Sequence, residues 1–131
     1  MLRLLFLVML FCFLGCSNQS RQKTDSTQIQ VASADSLWDF SRVKEGQILK
    51  HGFILRNNSE KTLHINNVNT SCGCTVFKID KKVLLSQESA TIEVKFDSKG
   101  YSGPTIQFVY VNTDSLDSQI IKFIIKAEVY R

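Results

Sequence analysis

Two cysteines one residue apart, Cys72-Gly73-Cys74, are the side chains of this sequence best suited to chemistry. Thiols this close can close a disulfide, exchange electrons as a dithiol or share a soft metal ion. In an extended strand, residues two apart face the same side with Cα atoms ~6.6 Å apart, at the far edge of disulfide geometry, so closing the pair requires a bend. Gly73 can supply that bend by visiting positive φ. So tight a ring would be strained, and strained disulfides are the more reducible ones. No Cys-X-X-Cys at a helix N-terminus is present to depress a thiol pKa, which counts against a redox dithiol. Cu(I) suits two thiolates, and Cys72 and Cys74 would be its ligands. Zinc fits less well, because a closed site needs four ligands and His51 and His64 fall on opposite faces of different strands. A structural pair pinning a turn is the commonest use of exported cysteines. Lysine, serine and histidine form no triad-like group, so no catalytic residue, no enzyme activity and no cofactor are expected.

The start of the chain says where these thiols work. Arg3 precedes an apolar run of about a dozen residues, the length of a signal-peptide h-region and too short for a membrane span. The run ends at Leu14-Gly15-Cys16, which resembles the bacterial lipobox, where small residues precede a cysteine that takes a diacylglycerol through its sulfur and becomes the first residue after cleavage. Residues 1–15 are thus expected to be removed, taking Cys12 with them, and Cys16 to be lipidated. Cys72 and Cys74 then remain as the only free pair in an oxidising compartment. Residues 16–36, rich in Ser, Gln, Thr, Asn and Lys, read as a flexible tether, because such a composition buries too little surface to offset its ordering entropy. Asp25-Ser26-Thr27, Asp35-Ser36-Leu37 and Asp114-Ser115-Leu116 resemble sites that some Gram-negative envelope systems O-glycosylate, so Ser26, Ser36 and Ser115 are candidates if exposed. Otherwise they are ordinary turn and linker residues.

From Leu37 onward short apolar alternations separated by turn residues replace the polar texture, and no helical period is found. Strands are expected at Trp38-Asp39-Phe40 running toward Arg42, at about Gln47–Arg56, Thr62–Asn69, Thr75–Ile79, Thr91–Asp97, Pro104–Asn112 and Ile120–Tyr130. In the fifth, Ile92, Val94 and Phe96 alternate with Thr91, Glu93 and Lys95. Seven strands about ten residues apart predict an all-β, immunoglobulin-like β-sandwich over residues 37–131. Phe96 and Phe108 are expected to be core aromatics. His51, among inward residues of its strand, is expected to be a core or rim histidine, and His64 to be solvated. The net charge of +4 is spread along the chain with Lys and Asp/Glu interspersed. No basic stripe suggests nucleic acid.

The residues also carry a resemblance. Asn57-Asn58-Ser59, Leu63-His64-Ile65-Asn66-Asn67-Val68, Ser71-Cys72-Gly73-Cys74-Thr75, Ile92-Glu93-Val94-Lys95-Phe96-Asp97, Gly103 and Val111-Asn112 resemble the pattern of the bacterial domain-of-unknown-function family number 1573. The resemblance implies an exported immunoglobulin-like module, akin to Hydin-like and major-sperm-protein-like domains, frequently lipidated, with no established activity and no catalytic residue to transfer. Ser86-Gln87-Glu88-Ser89 departs from the Pro-Gly turn the family often has there. The expected function is a non-enzymatic binding or scaffolding module of the bacterial cell envelope, anchored by lipid and facing an envelope protein or glycan. The alternative is a thiol-redox or copper-handling protein acting through Cys72 and Cys74.

Overall fold

The computed structural model describes residues 31–33 and 35–131; the expected signal peptide, Cys16 and Ser26 lie outside the described residues. Nine strands and no helix occur among the described residues: β1 (Val31–Ser33), β2 (Leu37–Lys44), β3 (Ile48–Asn57), β4 (Leu63–Thr70), β5 (Thr75–Ile79), β6 (Val83–Leu84), β7 (Ser89–Asp97), β8 (Gly103–Thr113) and β9 (Ile120–Tyr130). They form two sheets, β1-β3-β7-β5 and β2-β9-β8-β4-β6. Every pairing is antiparallel except β2 with β9. The chain is an all-β sandwich, as its alternation predicts.

Alternation makes the core. Ile92, Val94 and Phe96 of β7 are buried, as are Phe53 and Leu55 of β3; Phe123, Ile125, Ala127 and Val129 of β9 close on them from the other sheet. Phe53 and Phe123 stack across the two layers with ring centroids 4.6 Å apart. A second, smaller cluster gathers Val43, Phe96, Ala127 and Val129, with Phe40, Leu49, Cys74 and Tyr101 packed against it. Burying one such phenylalanine is worth about 3–5 kcal/mol against alanine.

The structure departs from the sequence expectation in four places. First, β1 pairs Val31 with Asn57 and Ser33 with Leu55, so the fold begins inside the segment expected to be tether, ahead of residue 37. Second, β6 is a strand of two residues that buries Leu84 completely. Both are too short to show a period of two.

Third, β2 changes face partway. The register with β9 slips between Asp39 and Arg42, and Ser41 has φ of 57°, a left-handed conformation supported by its N–H donating to Asp39 Oδ1 at 2.7 Å. The bulge turns Val43 inward and leaves Arg42 outside. Fourth, Phe108 lies on the outer face of β8, half-buried, while Val109 and Val111 beside it are fully buried.

Candidate functional site

The Cys72-Gly73-Cys74 segment links β4 of one sheet to β5 of the other. Its backbone is tied at both ends. The Ser71 N–H donates to Phe108 O at 2.9 Å, and the Asp97 N–H donates to Cys74 O at 3.0 Å. Ser71 Oγ donates to Gln107 Oε1 at 2.6 Å and accepts from the Phe108 N–H at 3.0 Å. Thr70 Oγ1 lies 3.1 Å from Cys72 O and 3.0 Å from Thr75 O, closing the turn from beneath.

Cys72 and Cys74 are bonded to each other, with Cα atoms 5.3 Å apart. That is shorter than the ~6.6 Å of a flat strand, so the segment bends to bring the sulfurs together. The bend is not made as expected. Gly73 lies outside the left-handed region that Gly46, Gly100 and Gly103 occupy, and a Cβ built on it meets no atom within 4 Å. The turn itself, closed by the Thr75 N–H donating to Cys72 O at 3.3 Å, provides the curvature.

The two sulfurs have different surroundings. Cys74 packs against the small core cluster of Val43, Phe96, Ala127 and Val129, and the Tyr101 hydroxyl donates to its Sγ at 2.9 Å. Cys72 sits between exposed Ser71 and Gly73. The buried Thr75 hydroxyl stands 3.5 Å from Cys72 Sγ and 3.8 Å from Cys74 Sγ. Tyr101 is held by its N–H donating to Ser98 O at 3.1 Å and by its ring meeting Phe96 edge-on at 5.3 Å. Ser98 is itself fully buried, and its Oγ accepts from the Gln47 N–H at 2.9 Å. Gly100, at φ of +82°, lets the chain turn tightly between Ser98 and Tyr101. Thr75 stands next to Cys74 in the motif itself, whereas Tyr101, 27 residues from Cys74, carries no signal in the sequence and reaches the sulfur only through the fold.

The other candidate residues are dispersed. His51 faces the gap between the sheets, stacked on Trp38 at 4.0 Å and edge-on to Phe53 at 4.6 Å. Burial pushes its pKa below 6.5, against the attraction of Asp35. His64 is not merely solvated, because its Nδ1 lies 2.7 Å from Asp114 Oδ2. Its backbone N–H donates to Asp114 Oδ1 at 2.8 Å, and that bond is the main cause holding the Asp114 carboxyl below its ordinary pKa. The two histidines stand in different sheets. Among the described residues no three His, Cys, Asp or Glu side chains converge as a metal-holding group.

Ser36 is exposed, but Ser115 is 3% exposed and its Oγ accepts from the Ser118 N–H at 3.2 Å. The exposure that made Ser115 a glycosylation candidate is therefore absent, because the β8–β9 turn folds it inward.

One surface was missed by sequence. On the outer face of the five-stranded sheet, Phe108 pairs with Ile124, Ile124 with Leu37, and Ile106 and Tyr110 flank Phe108 along β8. Leu37 and Ile106 are 41% and 51% exposed. Lys122 Nζ lies 5.4 Å above the Phe108 ring, and a shallow hollow of about 290 Å³ opens beside Asp39, Arg42, Ile106 and Lys126. The parity of Ile106, Phe108 and Tyr110, opposite to that of Val109 and Val111, was the available signal.

No curated protein matches the chain. The PapD-like domain 7 of human CEP192 superposes with a TM-score of 0.61 at 13% identity, over 89% of this chain and 96% of that one. A protein of unknown function from Porphyromonas gingivalis W83 gives 0.64 at 15% identity over 72% of this chain, and the chain spans only 44% of its length. The VesB protease of Vibrio cholerae gives 0.66 at 14% identity over 76% of this chain and 32% of its own. At these identities the likeness is one of fold, that of an immunoglobulin-like sandwich. The sequence pattern of the family described as "Protein of unknown function (DUF1573)" matches residues 31–129, and the chain belongs to that family.

Proposed function

We propose that this protein is a non-enzymatic binding module of the bacterial cell envelope, held at a membrane by lipid on Cys16 and docking a protein partner on the outer face of its five-stranded sheet. One observation carries the reading. The inner face of that sheet already closes the core through Val109, Val111, Phe123 and Ile125, yet its outer face carries exposed Leu37 and Ile106 beside half-buried Phe108, Tyr110 and Ile124. Apolar side chains clustered around an aromatic centre on one patch are the composition of an interface core. Aliphatic residues favour protein side chains over a glycan, and Lys122 and Lys126 at the margin favour a partner with acidic residues there. The PapD-like fold is compatible with such a role, although a fold alone does not assign one.

The test is cross-linking in intact envelopes followed by mass spectrometry, for the wild type and for Phe108→Glu and Ile124→Glu. Both substitutions lie on the outer face and leave the core unaltered. The wild type is expected to capture a discrete protein, and each variant to lose it with an unchanged melting temperature. Retention of the same partner by both variants overturns the docking face. Separately, Cys16→Ser is expected to release the protein from the membrane fraction; a variant that stays bound overturns the lipid anchor.

A further inference from the structure

We infer that the Cys72–Cys74 disulfide is a thiol-exchange site with a fixed direction, in which an incoming thiolate attacks Cys72 and Cys74 leaves as a thiolate steadied by the Tyr101 hydroxyl. This goes beyond the binding role and does not depend on it. Three features of the site assign the direction. Both cysteines are half-buried, but Cys72 lies between exposed Ser71 and Gly73, on the solvent side of the turn. Of the two, Cys74 is the one packed against the cluster of Val43, Phe96, Ala127 and Val129, which covers one side of it. The Tyr101 hydroxyl already points at Cys74 Sγ, 2.9 Å away.

That last contact matters because it strengthens during the reaction. A disulfide sulfur is a weak acceptor, but a sulfur carrying the departing electron pair makes a charge-assisted hydrogen bond. An interaction stronger in the transition state than in the ground state lowers the barrier. Thr75 Oγ1, within 4 Å of both sulfurs, is placed to donate to whichever one carries charge.

The co-reactant is a dithiol. Its first thiolate bonds to Cys72 Sγ, the Cys72–Cys74 bond breaks, and the electron pair goes to Cys74 Sγ. The second thiolate of the dithiol then attacks the dithiol's first sulfur, now bonded to Cys72 Sγ, closing the dithiol's disulfide and releasing Cys72 as a thiolate. Both cysteines take protons from water. Two electrons pass from the dithiol to the pair, and the reverse sequence passes them on to a target disulfide.

The test uses the full-length oxidised protein and glutathione, a monothiol with no second thiol of its own to resolve the mixed disulfide, which alkylation then traps. After brief reaction and alkylation, peptide fragmentation between Cys72 and Gly73 locates the adduct. Glutathione is expected on Cys72 and the alkyl label on Cys74, by roughly ten to one or more. Tyr101→Phe, which keeps the ring against Phe96, is expected to slow dithiothreitol reduction about tenfold, a factor within reach of one hydrogen bond to a charged group. In the reduced variant the pH midpoint for alkylating Cys74 should rise while that of Cys72 stays put, a split that a structural role for Tyr101 would not give. Glutathione on Cys74 or evenly on both, a disulfide reduced only after unfolding, or Tyr101→Phe reduced as fast as wild type each overturns the assignment. Should Tyr101→Phe fail to fold, the location of glutathione on the wild type still decides.

Discussion

Trp38 and His51 lie face to face, ring centroids 4.0 Å apart and planes 10° from parallel, although one belongs to the five-stranded sheet and the other to the four-stranded one. Phe53 meets His51 edge-on and stacks in turn on Phe123, so a partly exposed pair at the edge touches the centre of the core.

This pair makes stability sensitive to mild acid. Burial lowers the His51 pKa from 6.5, so the folded protein takes up that proton at lower pH than the unfolded chain does. The contribution is full above pH 6.5 and is lost as pH falls from 6.5 through the depressed value. Trp38 is the only tryptophan, and a protonated imidazole stacked on it quenches indole emission. A fluorescence titration should therefore show quenching with a midpoint below 6.5, abolished in His51→Gln. A midpoint above that value would reverse the assignment of burial as the dominant cause.

Asn57 is expected to be among the least replaceable polar residues. It is completely buried; its Nδ2 reaches the carbonyls of Lys61, Leu84 and Leu85 at 2.7, 3.0 and 3.1 Å, and its Oδ1 accepts from Ser59 Oγ at 2.7 Å. Asn57→Asp keeps the shape but puts a carboxylate against three carbonyl oxygens. It should cost about 3 kcal/mol or more, read as a lower urea midpoint at neutral pH that recovers in part as pH is lowered.

The two phenylalanines expected in the core separate in the structure. Phe96 is 1% exposed, so Phe96→Ala should destabilise by about 3–5 kcal/mol. Phe108 faces outward, and Phe108→Ala should cost under about 1 kcal/mol. Chemical denaturation of both variants checks the difference, and equal losses would contradict the placement of Phe108.

Reducing the disulfide should leave the fold standing. The bond joins residues separated by 2 in sequence, so it closes far less chain than the fifteen-residue loop worth about 3 kcal/mol. The melting temperature of the full-length protein is expected to fall by only a few degrees in reductant, with two thiols then titrating. A large fall would make the bond a staple of the domain.

How much was legible follows from the range of each signal. Ile92, Val94 and Phe96 sit on a long strand half-covered by a second sheet, so the period of two stood out. Val31–Ser33 and Val83–Leu84 are too short to repeat that period. The first strand is expected to run from Trp38 toward Arg42 without a bulge, because the slip at Ser41 rests on one local hydrogen bond, the Ser41 N–H donating to Asp39 Oδ1. Asn57-Asn58-Ser59 has the composition of a turn, and two of the three are buried; composition signals a turn but not which way its side chains face. The sulfur pair was visible as a motif, whereas Tyr101 lies 27 residues from Cys74 and is delivered by the β7–β8 turn. Side chains brought together across strands leave no mark on local sequence.

The register of the four-stranded sheet also sets at which end of the domain the chain enters. Val31 lies beside Asn57, at the end of the sheet where β7 begins with Ser89, whereas Thr75 lies beside Phe96, where β7 ends. The chain therefore enters at the pole opposite the sulfurs. With lipid on Cys16, the 15 residue steps to Val31 allow a stand-off of at most about 55 Å. The domain would be leashed by its base and carry the disulfide at its tip, facing away from its own bilayer and toward whatever lies across the gap.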